Sequence, residues 1–305
     1  MMLRMTTSRA LMAVAVLLGL LSTCLAKAIR VEKLHSRPVI ASNLSHEPAR
    51  QSAERLALVI GNSGYPDADA PLSQMASDAE ALANVLRKDG FVVNVVENAT
   101  HAEMTHAIDL LKLRVGPGSI VLLYFGGYGV QSDGQNYMIP VDAKVWGERD
   151  VRRDGVSVDR LLSELKDTGV RIRLAVIDAS RRNPYERRFR SYSHGLASIQ
   201  ATANTLALTS AAPDQVVDDR DGPHSPMMTA LLKEMNSSTR SIQGIFEDTR
   251  AAVAATTQNR QLPAVSSTLI EDVNLGPALS STPVSSADMA PSRRGWGTAC
   301  SAPPT

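Results

Sequence analysis

Two polar corners, each following an apolar run, carry the residues of this sequence that could do chemistry. Residues 119–125 lead into Gly126-Gly127-Tyr128-Gly129, and residues 172–177 lead into Asp178-Ala179-Ser180. Open α/β sheets place their sites where such strands end. A serine hydroxyl attacks only when a base takes its proton, and a phenol with a pKa of about 10 is a poor base. The pair Tyr128 and Ser180 therefore favours binding over hydrolysis.

The elements that must position these corners alternate along the chain. Apolar runs predict strands, and helical spacing of apolar residues predicts helices. The predicted strands are 55–61, 91–96, 119–126, 170–178, 205–211 and 262–267. The predicted helices are 77–88, 102–115, 156–166, 226–235 and 242–255, with a hairpin in 131–141 around Asp133-Gly134. Strands joined through helices predict a three-layer α/β/α sandwich whose mainly parallel sheet has about six strands.

The two ends of the chain differ from this alternating part. Residues 1–26 have a basic start, an apolar stretch and small residues near Ala26, which predicts a cleaved signal peptide. An uncleaved membrane anchor, or lipidation at Cys24, is the alternative. Residues 27–54 indicate a linker, 55–276 the folded domain, and 277–305 a disordered tail rich in Ser, Pro and Ala. We expect a periplasmic or secreted protein that does not contact the membrane after cleavage.

Charge and cysteine content exclude several functions. The chain has 32 Lys plus Arg against 31 Asp plus Glu, which gives no general attraction to nucleic acid or anionic lipid. Cys24 and Cys300 are its only cysteines, so the predicted domain has no thiolate nucleophile. Residues 61–64 lack the spacing of a phosphate-binding loop. We therefore expect neither a cofactor nor a metal site.

Residues 55 to about 270 resemble the bacterial caspase-like domain, which is metacaspase-related and belongs to peptidase C14. Six segments in the expected order carry the resemblance: 55–65, Ser77-Asp78-Ala79, 123–130, 136–142, 177–184 and 225–232. In active members, the resemblance implies, the third of these segments contains the general base, a histidine, and the fifth contains the nucleophile, a cysteine. This sequence has Tyr128 and Ser180 at those positions, 52 residues apart.

The resemblance also implies a binding function. In metacaspase-like members, the acids that match Asp78 and Asp178 line a pocket for an Arg or Lys side chain, and two carboxylates suit a guanidinium. The alternative is that Asp78 caps its helix and Asp178 braces a corner. We expect the Tyr128 hydroxyl to bond Ser180 or a backbone carbonyl, without reactivity.

Other charged residues are candidates of lower weight. His194 or His224 could reach Ser180 and serve as its base, although both are expected to be solvated loop residues. The acidic loop could bind calcium, but it lacks ordered ligand spacing; it contains Asp214, Asp218, Asp219 and Asp221. The arginine cluster after Ser180 could engage an acidic partner or a phosphate; it contains Arg181, Arg182, Arg187, Arg188 and Arg190. The pair His101 and His106 is poorly spaced for a metal.

These observations predict an exported caspase-like pseudoprotease that binds a protein or peptide, through an exposed Arg or Lys of that partner. One alternative is an active endopeptidase that cleaves after basic residues, either cysteine-type by family membership or serine-type through Ser180. Another alternative is a scaffold that uses its helical faces.

Overall fold

The computed structural model describes residues 54–66, 72–185, 195–217, 222–237, 241–271 and 273–276. All of them belong to one compact unit of the chain. The predicted signal peptide, residues 27–53 of the predicted linker and the predicted tail from 277 lie outside the described residues. No helix of the described part is long and apolar enough to cross a membrane.

A six-stranded sheet forms the centre. Its strands, in their order across the sheet, are β2 (Val92–Glu97), β1 (Arg55–Gly61), β3 (Ile120–Gly126), β7 (Ile172–Asp178), β8 (Thr205–Thr209) and β9 (Ala264–Ser267). All neighbouring strands pair in parallel except β8 and β9, which are antiparallel. The residues of β3 and β7 are all buried, as expected of central strands covered on both faces.

Helices cover both faces of this sheet. One hydrophobic cluster joins alternate strand residues such as Val59 and Leu122 to α1 (Met75–Lys88), α5 (Pro226–Ser237) and α6 (Ile242–Thr256). The other joins residues such as Leu58 and Leu123 to α2 (His101–Arg114) and α4 (Val158–Asp167). The predicted three-layer α/β/α sandwich, with a mainly parallel six-stranded sheet, is confirmed.

A second, three-stranded sheet stands beyond the end of β3. It contains β4 (Gly129–Ser132), β5 (Gln135–Met138) and β6 (Val156–Ser157). The short helix α3 (Glu148–Asp154) lies between β5 and β6 in the chain. The antiparallel pairing of β4 with β5 confirms the predicted hairpin, whose turn places Asp133 and Gly134 at positive φ. The helix α3 was not predicted, because it is too short to show a period. Residues 156–157, predicted as the start of the helix 156–166, form β6 instead.

The first turns of the helices are held by capping hydrogen bonds, some from neighbouring residues and some from distant ones. Thr100 caps α2 as predicted, in a capping box with Glu103. The helix α1 begins at Met75, two residues before the predicted start. Its first turn is capped by a distant residue, since the backbone N–H of Ala76 donates to the hydroxyl of Ser63 at 3.1 Å. Sequence spacing does not reveal a cap supplied from 13 residues away.

Candidate functional site

The two polar corners lie side by side at the carboxyl ends of β3 and β7. Gly126 is in register with Asp178, and Gly127 donates its N–H to the Asp178 carbonyl at 3.2 Å. Gly129 likewise donates to the Ala179 carbonyl at 3.1 Å. A Cβ atom on Gly129 would lie only 2.9 Å from that carbonyl oxygen, so this approach requires glycine. The fold therefore brings the segments of Tyr128 and Ser180 together, as the sequence predicted.

Ser180 is enclosed at its corner. The residue is 0% exposed, and its hydroxyl has no hydrogen-bond partner among the described residues. Its backbone is held by two bonds, from its N–H to the Ser210 hydroxyl at 3.2 Å and from the Val217 N–H to its carbonyl at 2.8 Å. The expected bond between Tyr128 and Ser180 is therefore not formed. A hydroxyl without a proton acceptor and without solvent access is not an activated nucleophile.

Tyr128 lies in an apolar cluster instead of facing an open cleft. It is 6% exposed, and its ring meets that of Tyr65 edge-on, with the centroids 4.9 Å apart. The Tyr65 hydroxyl accepts the Tyr128 backbone N–H at 3.1 Å and donates to the Ile139 carbonyl at 2.9 Å. Burial raises the pKa of Tyr65, so this hydroxyl stays neutral. Tyr128 is thus packed and held as a core residue.

The two acids meet at one serine. Asp78 lies in the first turn of α1, and Asp178 is the last residue of β7; both are buried. Ser225 donates its backbone N–H to Asp78 Oδ2 at 3.1 Å and its hydroxyl to Asp178 Oδ2 at 2.6 Å. Burial, followed by the charge of Asp178, raises the pKa of Asp78 to about 6. Ser225 therefore joins two acids that are 100 positions apart in the chain.

The other oxygen of each carboxylate also has a partner. Asp78 Oδ1 lies 2.7 Å from His224 Nδ1. Asp178 Oδ1 lies 3.2 Å from the guanidinium of Arg181, which also donates to the carbonyl of Gly127 at 3.0 Å and to that of Asp178 itself. These bonds do not support the alternative role of Asp78 as a cap of its own helix, because its partners are His224 and Ser225, directly before α5.

None of the remaining candidates within the described residues bonds to the Ser180 hydroxyl. Of the two histidines, His224 is bonded to Asp78 rather than to Ser180, and His194 lies outside the described residues. Asp214 accepts a bond from Gln131 at 2.7 Å. Outside the described residues are Asp218, Asp219, Asp221, Arg187, Arg188, Arg190 and Cys300. Within the described ranges, no group of three or more His, Cys, Asp or Glu side chains could hold a metal ion.

Three functional contacts were missed from the sequence, those of Tyr65, Ser225 and the Arg181 side chain. Tyr65 follows a Gly-rich turn and carries no periodic signal. Ser225 did carry a local signal, that of a helix cap, because a serine directly before Pro226 is typical of a helix start with proline as the first helical residue. Its hydroxyl indeed accepts the Met228 N–H at 3.0 Å. The second role of that hydroxyl, on Asp178, depends on tertiary structure alone.

Comparison with known proteins agrees with this architecture. The family model of peptidase C14, described as a caspase domain, matches residues 54–274. Mucosa-associated lymphoid tissue lymphoma translocation protein 1 homolog of Mus musculus is 34% identical over 111 residues, which is 33% of this chain and 13% of that protein. The Homo sapiens protein of that name is 34% identical over 112 residues, with the same coverage of each chain. The chain thus matches only about 13% of the length of these curated relatives.

Proposed function

This chain belongs to the peptidase C14 family of caspase domains, and we propose that it is a member that binds a protein or peptide without cleaving it. The group it recognises on that partner is an exposed arginine or lysine. Its place of action is the periplasm or the outside of the cell, after removal of residues 1–26. The proposal combines a loss, at Tyr128 and Ser180, with a retained feature, at Asp78 and Asp178.

The loss of catalysis rests on one observation, the buried hydroxyl of Ser180. Hydrolysis by serine needs a base within hydrogen-bond reach and an opening for the scissile carbonyl. Ser180 is 0% exposed, and none of the described residues accepts its proton. Tyr128 is packed on Tyr65 and, as a neutral phenol, would not take that proton. Because nucleophile and base act as a unit, the absence of both removes most of the rate enhancement.

The retained feature is the pair of carboxylates. Asp178 has a balancing charge, since Arg181 lies 3.2 Å from it. Asp78 makes no ion pair with Lys or Arg among the described residues; its charge is met only by the imidazole of His224 and the N–H of Ser225. A buried carboxylate without a full cation is costly, so an incoming guanidinium would be held by charge-assisted bonds. This charge imbalance supports recognition of a basic side chain.

Binding and inactivity are tested with the same purified protein. Peptides that differ only by arginine or citrulline at one position are titrated by fluorescence anisotropy. We expect the arginine peptide to bind more tightly, and Asp78→Asn to remove this preference, whereas Asp167→Asn on the exposed end of α4 leaves it intact. Equal affinity for the two peptides in the wild type would contradict recognition of a basic side chain.

The endopeptidase alternative has its own test. Tyr128→His combined with Ser180→Cys restores the residues that the family uses at these positions. We expect no cleavage of arginine- or lysine-containing peptides by the wild type. Cleavage by the double variant would show that the corner still admits a peptide. Cleavage by the wild type that Ser180→Ala abolishes would contradict the proposal and support a serine-type enzyme.

A further inference from the structure

Residues 222–225, called here the strap, lie across the two buried acids immediately before α5. The strap is tied to the start of α1 at two points: Gln74 donates its side-chain amide to the Gly222 carbonyl at 2.9 Å, and the Ser77 hydroxyl donates to the Pro223 carbonyl at 2.8 Å. Its last two residues make the contacts to Asp78 and Asp178 described above. Each residue of the strap thus bonds to the acids or to the helix that carries Asp78.

The donors of the strap have the chemistry of a basic side chain. The Ser225 N–H and the Nδ1 atom of His224 lie against the two oxygens of one carboxylate. With a proton on Nδ1, the two donors reproduce the arrangement of a guanidinium that binds a carboxylate with two parallel bonds. The His224 side chain is 29% exposed, whereas that of Asp78 is 0% exposed. Of this contacting pair, the imidazole is therefore the member that faces solvent.

A second observation indicates that the closed arrangement is incomplete. The hydroxyl of Tyr124 is buried and has no hydrogen-bond partner among the described residues. It lies close enough to both acids that their charges, after burial, raise its pKa. A buried hydroxyl normally has a partner, and one without a partner is destabilising. A ligand that donates a hydrogen bond to the Tyr124 hydroxyl would give it a partner.

We propose that the strap is an internal substitute for the basic residue of a partner, and that a guanidinium binds Asp78 by displacing the imidazole of His224. This inference rests on the proposed function and adds its regulation: the empty protein keeps its acid site closed, and only a ligand that replaces the bonds of His224 opens it. The titratable group that contacts His224 among the described residues is Asp78, and Asp178 with its partner Arg181 is joined to the same site through Ser225. Arg181 stays on Asp178, so the exchange occurs at Asp78.

Competition between ligand and strap predicts which variants bind more tightly. Nα-acetyl-arginine amide is titrated into the full chain at about pH 8, where Asp78 is ionised. We expect His224→Ala to bind it about three- to tenfold more tightly than the wild type, since one competing hydrogen bond is removed. His224→Asn, which keeps an amide N–H near the position of Nδ1, is expected to bind like the wild type. Tyr124→Phe is expected to bind more weakly, because it removes an acceptor for the ligand.

NMR tests directly whether the ligand displaces the imidazole of His224. The Nδ1–H proton of His224, protected by Asp78 in the closed state, gives a resonance that we expect to vanish when the arginine amide is added. Nα-acetyl-citrulline amide, the neutral analogue, is expected to leave it unchanged. His106→Ala, on the exposed face of α2, is the matched control and should bind like the wild type.

The outcomes separate the strap from the proposed function. If the wild type binds the arginine amide, His224→Ala binds it no more tightly and the His224 resonance persists, the strap inference is overturned while recognition of a basic side chain stands. If neither the wild type nor His224→Ala binds the arginine amide better than the citrulline amide, recognition of a basic side chain is itself wrong, and the strap inference is wrong with it.

Discussion

The hydroxyl oxygen of Tyr65 accepts a hydrogen bond of 3.1 Å from the backbone N–H of Tyr128. This bond fixes the corner at which active relatives, as the resemblance implies, carry a histidine. The two rings also pack edge-on, and the Tyr65 hydroxyl continues to the carbonyl of Ile139. The position of Tyr128 is therefore part of a packed aromatic cluster that supports the fold of the corner.

Tyr65→Phe tests this supporting role. The substitution keeps the ring but takes the hydroxyl away from the Tyr128 N–H, and it leaves the Ile139 carbonyl with only the longer bond of 3.3 Å from the Asn62 side-chain amide. We expect the free energy of unfolding to fall by about 2 kcal/mol in urea denaturation. Tyr137→Phe is the control, because that hydroxyl makes a single long bond of 3.3 Å to Gln135, and it should cost clearly less. Equal losses in the two variants would contradict the role given to Tyr65.

Ser180→Ala and Ser210→Ala form a matched pair at the other corner. The Ser180 hydroxyl has no partner among the described residues, so its removal should leave the free energy of unfolding unchanged or raise it by about 1 kcal/mol. The Ser210 hydroxyl accepts the Ser180 N–H, so its removal should cost about 1–2 kcal/mol. A larger loss for Ser180→Ala than for Ser210→Ala would show that the Ser180 hydroxyl has a structural partner after all.

Ser225→Ala should be the most destabilising of the serine variants. Its hydroxyl both donates to Asp178 at 2.6 Å and accepts the Met228 N–H of α5 at 3.0 Å. Loss of a helix cap and of a bond to a charged group together should cost about 3 kcal/mol. Ser241→Ala, which removes only the cap of α6, should cost about 1 kcal/mol. A cost for Ser225→Ala no larger than that cap would contradict the bridge between the acids.

The raised pKa of Asp78 predicts a specific dependence of stability on pH. Folding raises the pKa of the Asp78 carboxyl from its ordinary value of 3.8 to about 6, so the stabilising contribution of its bound proton is complete below pH 3.8 and is lost as the pH rises through about 6. Asp78→Asn removes it. We therefore expect the variant to gain about 2–3 kcal/mol relative to the wild type between about pH 4 and about pH 7.

Urea denaturation at a series of pH values measures this difference. Asp167→Asn, at the exposed end of α4, should show a constant difference from the wild type over the same range. A difference for Asp78→Asn that is also constant, or that changes in the opposite direction, would contradict the burial of this carboxyl beside Asp178.

The parts of the molecule that the sequence predicted are those encoded by local pattern. The fully buried strand 120–126 is an unbroken apolar run, and strand 172–178 is apolar except for Arg173 and its last residue, Asp178. The helix His101–Arg114 is indicated by its capping box of Thr100 and Glu103. The neighbouring corners of Tyr128 and Ser180 followed from the rule that parallel strands end at one edge.

The parts that were missed depend on contacts between distant residues. Asp78 and Ser225 are 147 positions apart, and nothing in the sequence around either indicates their hydrogen bond. The sequence allowed His224 as a base for Ser180, but the backbone before α5 brings its imidazole to Asp78 instead. That backbone path depends on tertiary structure and leaves no pattern in the sequence. The burial of Ser180 is likewise a property of the packed corner rather than of its own segment.

The most direct test of the central claim is labelling by a fluorophosphonate, which reacts with serines that a nearby base activates. The full chain is incubated with the probe at about pH 8, beside Ser180→Ala and an active serine hydrolase as the positive control. We predict that the wild type is labelled no more than Ser180→Ala, because the Ser180 hydroxyl is buried and faces no proton acceptor among the described residues. Labelling that maps to Ser180 and disappears in the alanine variant would contradict the account.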